Sequence, residues 1–192
     1  IPEPYYVSYG PVVTLCGGHP VYIKTHPENG FKITPKDIDK NCDGKTKAII
    51  LNYPNNPTGV SYRKRELKDM AKAILKHNLF VVSDEIYSDL TYDFHHTPLP
   101  SLARMRERTV LLNGFSKSYA MTGWRVGYAC GPREIIYGMT KIHQYTVMCV
   151  PITSQIAARE ALKNGERSVN EMKREYKRRR EFVIKGLNEM GL

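Results

Sequence analysis

Cysteine is scarce in this chain and forms no pattern. Cys16, Cys42, Cys130 and Cys149 show no C-x-x-C and no metal-like spacing. That argues against a zinc site and leaves free thiols of a reducing cytoplasm as the reading. Histidine is equally sparse in pattern: His95 and His96 are adjacent, no H-E-x-x-H occurs, and no metal centre is expected. No apolar run approaches the ~20 residues that a membrane-spanning helix needs. No signal peptide, internal repeat or low-complexity linker is visible. The chain opens abruptly at Ile1 in "IPEPYY", which reads as a piece of a longer protein.

What is present suits a folded domain. The 192 residues fit one domain or a large part of one. A hydrophobic content of 41% supports a sizeable core, which excludes disorder. Lysine and arginine number 29 against 19 acidic residues, a net charge of +10. The basic residues are dispersed among acids, and the densest run, "KREYKRRRE", falls on an expected helix face. A solvated helix accounts for it, and no nucleic-acid partner is expected.

Strand and helix signals alternate along the chain. "PVVTL" and "PVYIK" read as short strands. "TPKDIDKNC" opens a helix with Thr34 as N-cap and Pro35 at its first position. "TKAIILN", "LFVVSDE", "TVLLNGF" and "RVGYACG" read as strands. "SYRKRELKDMAKAILKHN" carries an apolar stripe of Leu67, Met70, Ala71, Ile74 and Leu75. Ser61 and Lys64 form an S-x-x-K string with no "SDN" or "KTG" to follow, so Ser61 is read as the N-cap of that helix. "PREIIYGMTKIHQY" is expected to turn Ile135, Ile136, Met139 and Ile142 inward. A helix is expected after Pro151. A last one is expected from Ser168, opened by a Ser168–Glu171 capping box and lined by Val169, Met172, Tyr176, Val183 and Leu187. Continuous apolar strands between amphipathic helices predict an α/β fold of three layers, a mostly parallel central sheet with helices on both faces.

In such sheets ligands bind at the carboxyl ends of the strands. Three expected strands end in distinctive polar residues. "AIILN" runs into Asn52 and "YPNNPTG", "LFVVS" into Asp84, Glu85 and Tyr87, and "TVLLN" into Ser116 and Lys117. Arg125 follows Lys117 by eight residues, beside Trp124, the only tryptophan. Parallel neighbours would bring these side chains to one edge. A lysine, a carboxylate, an amide, a phenol and an arginine together match the needs of pyridoxal 5'-phosphate.

The stretches "PYYVSY", "NYPNNPTG", "SDEIYSDLTYD" and "NGFSKSYAMTGWRVGYACGP" resemble the fold type I pyridoxal-phosphate enzymes, specifically class I and II aminotransferases related to aspartate aminotransferase. They span nearly the whole chain in the family's order. The resemblance implies that residues 1–192 are the major part of the cofactor-binding large domain. An upstream phosphate loop and a smaller C-terminal domain would lie outside them. It implies that Lys117 forms the Schiff base with the cofactor, that Asp84 pairs with the pyridinium nitrogen, and that Tyr87 and Asn56 bond the ring oxygen. Arg125 would grip the phosphate, a bidentate task suited to a guanidinium. Tyr6 falls where relatives stack an aromatic ring, often tryptophan, on the pyridine. Many relatives carry a hydroxyl three residues before the lysine, where this chain has Gly114; Ser116 is the substitute expected at the phosphate.

The resemblance further implies transfer of an amino group between an L-amino acid and a 2-oxoacid in a cytoplasmic enzyme that is a homodimer at full length. Its partner contacts would fall in "HQYTVMCVPITSQ". Two other activities share such a site. One is a lyase or synthase of the same fold, such as a C–S β-lyase. The other is an aminotransferase-like domain of a transcription regulator.

Overall fold

A computed structural model describes all residues, 1–192. From the N-terminus come β1 (Pro2–Glu3), α1 (Tyr9–Leu15), β2 (Ile23–Lys24), α2 (Pro35–Asn41), β3 (Ala48–Asn52) and α3 (Lys64–Lys76). Then follow β4 (Phe80–Asp84), β5 (Thr109–Gly114), β6 (Gly127–Cys130), α4 (Arg133–Thr146), α5 (Ile152–Asn164) and α6 (Glu166–Glu189). The main sheet has the order β3-β4-β5-β6. Its first three strands are parallel and β6 runs antiparallel to β5. β1 and β2 form a separate parallel pair. The α/β architecture expected from the sequence is the one observed, a parallel-dominated sheet flanked by helices.

Strand side chains alternate between faces, and here the two faces have different tasks. Ile49, Leu51 and Val81 meet Leu67, Met70, Ala71 and Ile74 of α3 and Ile38 of α2 in the main core. That is the stripe expected from helical periodicity. The alternate positions, Ile50 with Asn52 and Val82 with Asp84, face the other way. A smaller cluster joins Phe115, Met121 and Val126 of the loop after β5 to Ala158 of α5. α6 is fastened by Arg180, which donates to both carboxylate oxygens of Asp93 at 3.0 Å and stacks over Tyr92.

Some local expectations are corrected. "PVVTL" is helical, within α1. Pro11 sits in the first turn, where a missing N–H leaves no bond unmade, and Val12 N–H donates to Ser8. Of "PVYIK", only Ile23 and Lys24 pair as strand. α2 starts as expected: Thr34 and Asp37 form a capping box ahead of Pro35. α3 is capped at Arg63 and not at Ser61, because the Glu66 carboxylate accepts the Arg63 N–H at 2.6 Å. The acceptor three residues on selects the cap, and the Ser61 hydroxyl is buried without a partner.

α6 likewise starts at Glu166, not at Ser168; Gly165 alone separates it from α5, and Glu171 pairs with Arg167. Val169 is buried in it, but Tyr176, Val183 and Leu187 are exposed. On α4 the inward stripe is not realised. Ile135 and Ile136 are half-buried and Ile142 is 68% exposed, since no other element of the chain covers that face.

Candidate active site

The ladder register sets Asn52 level with Asp84, and Asp84 level with Leu112. Three parallel strands therefore deliver their carboxyl ends to one edge, where α/β sheets bind ligands. Asn52, almost fully buried, links two of them. Its Nδ2 donates to the Asp84 carbonyl at 2.9 Å and its Oδ1 accepts the Asn56 N–H at 2.7 Å. The turn of "NNPTG" is closed by Asn55, whose Oδ1 accepts from the N–H and hydroxyl of Thr58. The Asn56 side chain has no protein partner and borders the cleft.

Asp84 is half-buried. The Tyr9 hydroxyl donates to its Oδ2 at 2.6 Å and the Ile86 N–H to its Oδ1 at 3.2 Å. Each carboxylate oxygen thus keeps a lone pair for a further donor. Burial, then the bond to Asp84, pushes the Tyr9 phenol well above its ordinary pKa, so it stays a donor. Tyr6 is largely exposed and meets Tyr9 edge-on.

Lys117 is half-buried, with its ammonium 5.5 Å from the centroid of the Tyr87 ring. Arg125 stands in the left-handed region at φ 51° and donates through Nη1 to the Thr122 carbonyl at 2.8 Å. Neither cation has a carboxylate partner. Tyr6, Asn56, Asp84, Tyr87, Ser116, Lys117 and Arg125 all line a single cleft of about 360 Å³, together with Tyr9, Asn52, Ile86, Leu112, Asn113 and Thr122. That volume lies in the range of small-molecule sites, about 300–1,000 Å³. No group of three His, Cys, Asp or Glu side chains is close enough to hold a metal ion, and the four cysteines are free.

Every site residue expected from the sequence reaches this cleft. Sequence reading missed Tyr9 as the donor to Asp84 and Asn52 as the link between strand ends. The repeated tyrosines of "YYVSY" were the only hint of Tyr9, whose partner lies 75 residues away.

A carboxylate on a central strand, an unpaired lysine beyond the next strand and an unpaired arginine after it make this edge of the α/β sheet a candidate ligand-binding site. The chain belongs to the class I and II aminotransferases, whose family model matches residues 1–192. It is 48% identical, over its whole length, to the putative aminotransferase YugH of Bacillus subtilis. It is also 46% identical to the aspartate aminotransferase of Pyrococcus abyssi. It spans 50% of the length of each. The crystal structure of an aromatic aminotransferase from Pyrococcus horikoshii superposes on the whole chain with a TM-score of 0.95 at 45% identity, and 52% of that chain is covered.

Gly114 explains the missing hydroxyl. It lies opposite Gly127 in the β5–β6 pair. A Cβ on it would stand 3.0 Å from the Gly127 Cα, 3.2 Å from the Val126 carbonyl oxygen and 3.3 Å from the Ile86 Cδ1. Two of those neighbours are backbone, so a side chain here would need the paired strands to give by a few tenths of an ångström just ahead of Lys117. Gly114→Ala is expected to cost about 1–3 kcal/mol, the usual scale of overpacking. Urea denaturation with an unchanged slope checks it; an unaltered midpoint would show that the strands yield freely.

Proposed function

We propose that the full-length protein is a pyridoxal-phosphate-dependent aminotransferase, moving an amino group from an L-amino acid to a 2-oxoacid. We read residues 1–192 as the major part of its cofactor-binding large domain. The observation that carries the reading is the convergence of Lys117, Asp84 and Arg125 on one cleft, with both cations free of carboxylates.

The donor set fits the cofactor group by group. Lys117 Nζ is the amine that would hold it covalently. The Asp84 carboxylate would face its ring nitrogen, with Tyr9 and Ile86 fixing the carboxylate from behind. The free Asn56 amide and the Tyr87 hydroxyl would bond its ring oxygen. Arg125, with Ser116 in support, would bind its phosphate, and Tyr6 would lie against the ring. When bound, pyridoxal phosphate supplies an electron sink for negative charge at the substrate Cα.

The residues of the chain do the rest. Lys117 Nζ, once free, would be a base beside that carbon, taking the Cα proton and returning it two bonds away, on the far side of the amino nitrogen. The aromatic face of Tyr87 holds the ammonium without neutralising it as a carboxylate would. The amino group lost by one acid is regained by the second, so the kinetics are ping-pong.

A cytoplasmic homodimer completes this reading. No helix is long and apolar enough to cross a membrane. Tyr137, Ile142, Tyr145, Val147 and Met148 form an exposed apolar run along α4 and just beyond it, the kind of surface that marks an interface. Two-fold closure is the commonest oligomeric form.

Full-length protein loaded with pyridoxal phosphate and reduced with borohydride should carry the pyridoxyl label on Lys117 in peptide maps; a label on another lysine overturns the assignment. Asp84→Ala should fold yet lose turnover by about 10²- to 10³-fold, the scale for deleting one pre-organised charged group, and near-normal turnover would remove Asp84 from the mechanism. Light scattering should return twice the protomer mass, and a fully active monomer would exclude the dimer.

A further inference from the structure

Directly after Asp84, on the opposite face of the strand end, lies a carboxylate that the proposed chemistry does not use. Glu85 is 1% exposed. Its Oε1 accepts from the Ser83 hydroxyl at 2.8 Å, the Tyr53 hydroxyl at 3.0 Å and the Leu99 N–H at 3.0 Å. Its Oε2 meets His96 Nε2 at 2.5 Å. A carboxylate withdrawn this far from water is costly unless fully bonded. An apolar side chain of similar volume would fill the same space without that cost. Stability alone is therefore a poor account of Glu85.

Its partners show what it controls. Tyr53 is the residue after β3, Ser83 belongs to β4, and His96 and Leu99 lie in the connection to β5. The His96 ring stacks on Tyr53, with centroids 5.1 Å apart. The His96 Nδ1 is buried with no partner, so the Glu85 bond is the only one that orients the ring. The Tyr53 N–H donates to the Asp84 carbonyl at 3.2 Å, beside the bond from Asn52 to the same oxygen. Glu85 thus clamps, from the core side, the two strand ends that present Asp84 and Asn56 on the cleft side.

We propose that Glu85, held by Tyr53, Ser83, His96 and Leu99, is a positioning residue that sets the direction in which Asp84 and Asn56 address the ring of the bound cofactor. This rests on the pyridoxal-phosphate function proposed above. Glu85 touches neither substrate nor cofactor. It acts through the peptide it shares with Asp84 and through Tyr53.

The test uses the full-length protein reconstituted with pyridoxal phosphate. The variants are Glu85→Gln, His96→Phe and His96→Gln. The readouts are cofactor affinity, the pH midpoint of the bound cofactor's visible absorbance, and melting temperature. Glu85→Gln opposes an amide to the His96 donor, and His96→Phe removes that donor. Each should weaken cofactor retention by about ten- to a hundredfold, the scale for partners that orient a contacting ligand. Each should also move the absorbance midpoint, which a purely structural role would leave in place. His96→Gln still offers a donor near the position of Nε2 and should return both readouts toward the wild-type values.

Tyr53→Phe deletes one donor only, so it decides the matter should the other variants not fold. Variants that melt earlier yet keep wild-type affinity and midpoint overturn the inference and leave the proposed function standing. A wild-type protein that takes up no pyridoxal phosphate overturns both.

Discussion

Where the β3–β4 ladder runs out, a side chain continues it. Asn52 donates to the Asp84 carbonyl and accepts the Asn56 N–H, so one buried amide spans the gap between two strands and the turn beyond. Only a group with a donor and an acceptor at fixed spacing does this. An aspartate lacks the donor, and a leucine would leave the Asn56 N–H without its acceptor and the Asp84 carbonyl with the Tyr53 N–H alone, which is costly. The rest of the cleft is measured from that bond. Asp84 and Asn56 stand at a set distance because both are tied to Asn52.

Charge is handled in opposite ways on the two sides of this edge. On the core side, Glu85 has four donors and is buried away from any ligand. On the cleft side, Asp84 has two and remains receptive, and Lys117 and Arg125 line the same cleft with no carboxylate bonded to either. Elsewhere cations do meet acids. Along α6, Glu175 bonds both Arg178 and Arg179, and its carboxyl is pulled down to about 2 by those guanidiniums, Arg178 first. Such exposed pairs contribute little stability. Most other unpaired cations lie on the open surface, whereas two unpaired cations lining one cleft mark a place for an anion.

Much of this was legible beforehand because it rests on local rules. β3, β4 and β5 are apolar runs of strand length, α2 has its capping box and proline in order, and the α3 stripe follows the helical period. Asn56, Asp84, Tyr87, Ser116 and Lys117 were legible because each sits at or just past a strand end, and strand ends in a parallel sheet share an edge; Tyr6 and the role of Arg125 were implied by the family resemblance. What was not legible depends on pairings far apart in the chain. Tyr9 finds Asp84 across 75 residues, and Glu85 gathers donors from Tyr53 to Leu99. Nothing in "SDEIY" says which carboxylate faces the cleft; only the strand's alternation, once its register is known, decides it. The misread segments were contests between local signals. Pro11 and two valines look like a strand until the proline is seen to fit a first helical turn, and Ser61 looks like a cap until Glu66 selects Arg63. The α4 stripe failed for a different reason, because periodicity names an apolar face but not what covers it.

The cleft is also unequal in how firmly its parts are held. Asp84 and Asn56 are supported by the ladder, by Asn52 and by the buried bonds around Glu85. Arg125 and Tyr6 rest on exposed segments, one through a single bond to Thr122 and the other through an edge contact with Tyr9. This division suits the proposed chemistry. A bond to a ring nitrogen depends steeply on direction, and direction is set most reliably by side chains on strands within a packed core. A phosphate or a ring face tolerates displacement, since a charge acts over distance and a flat contact can slide. Loops suffice for those contacts, while the partner of the electron sink belongs on the strand whose far side is locked by Glu85.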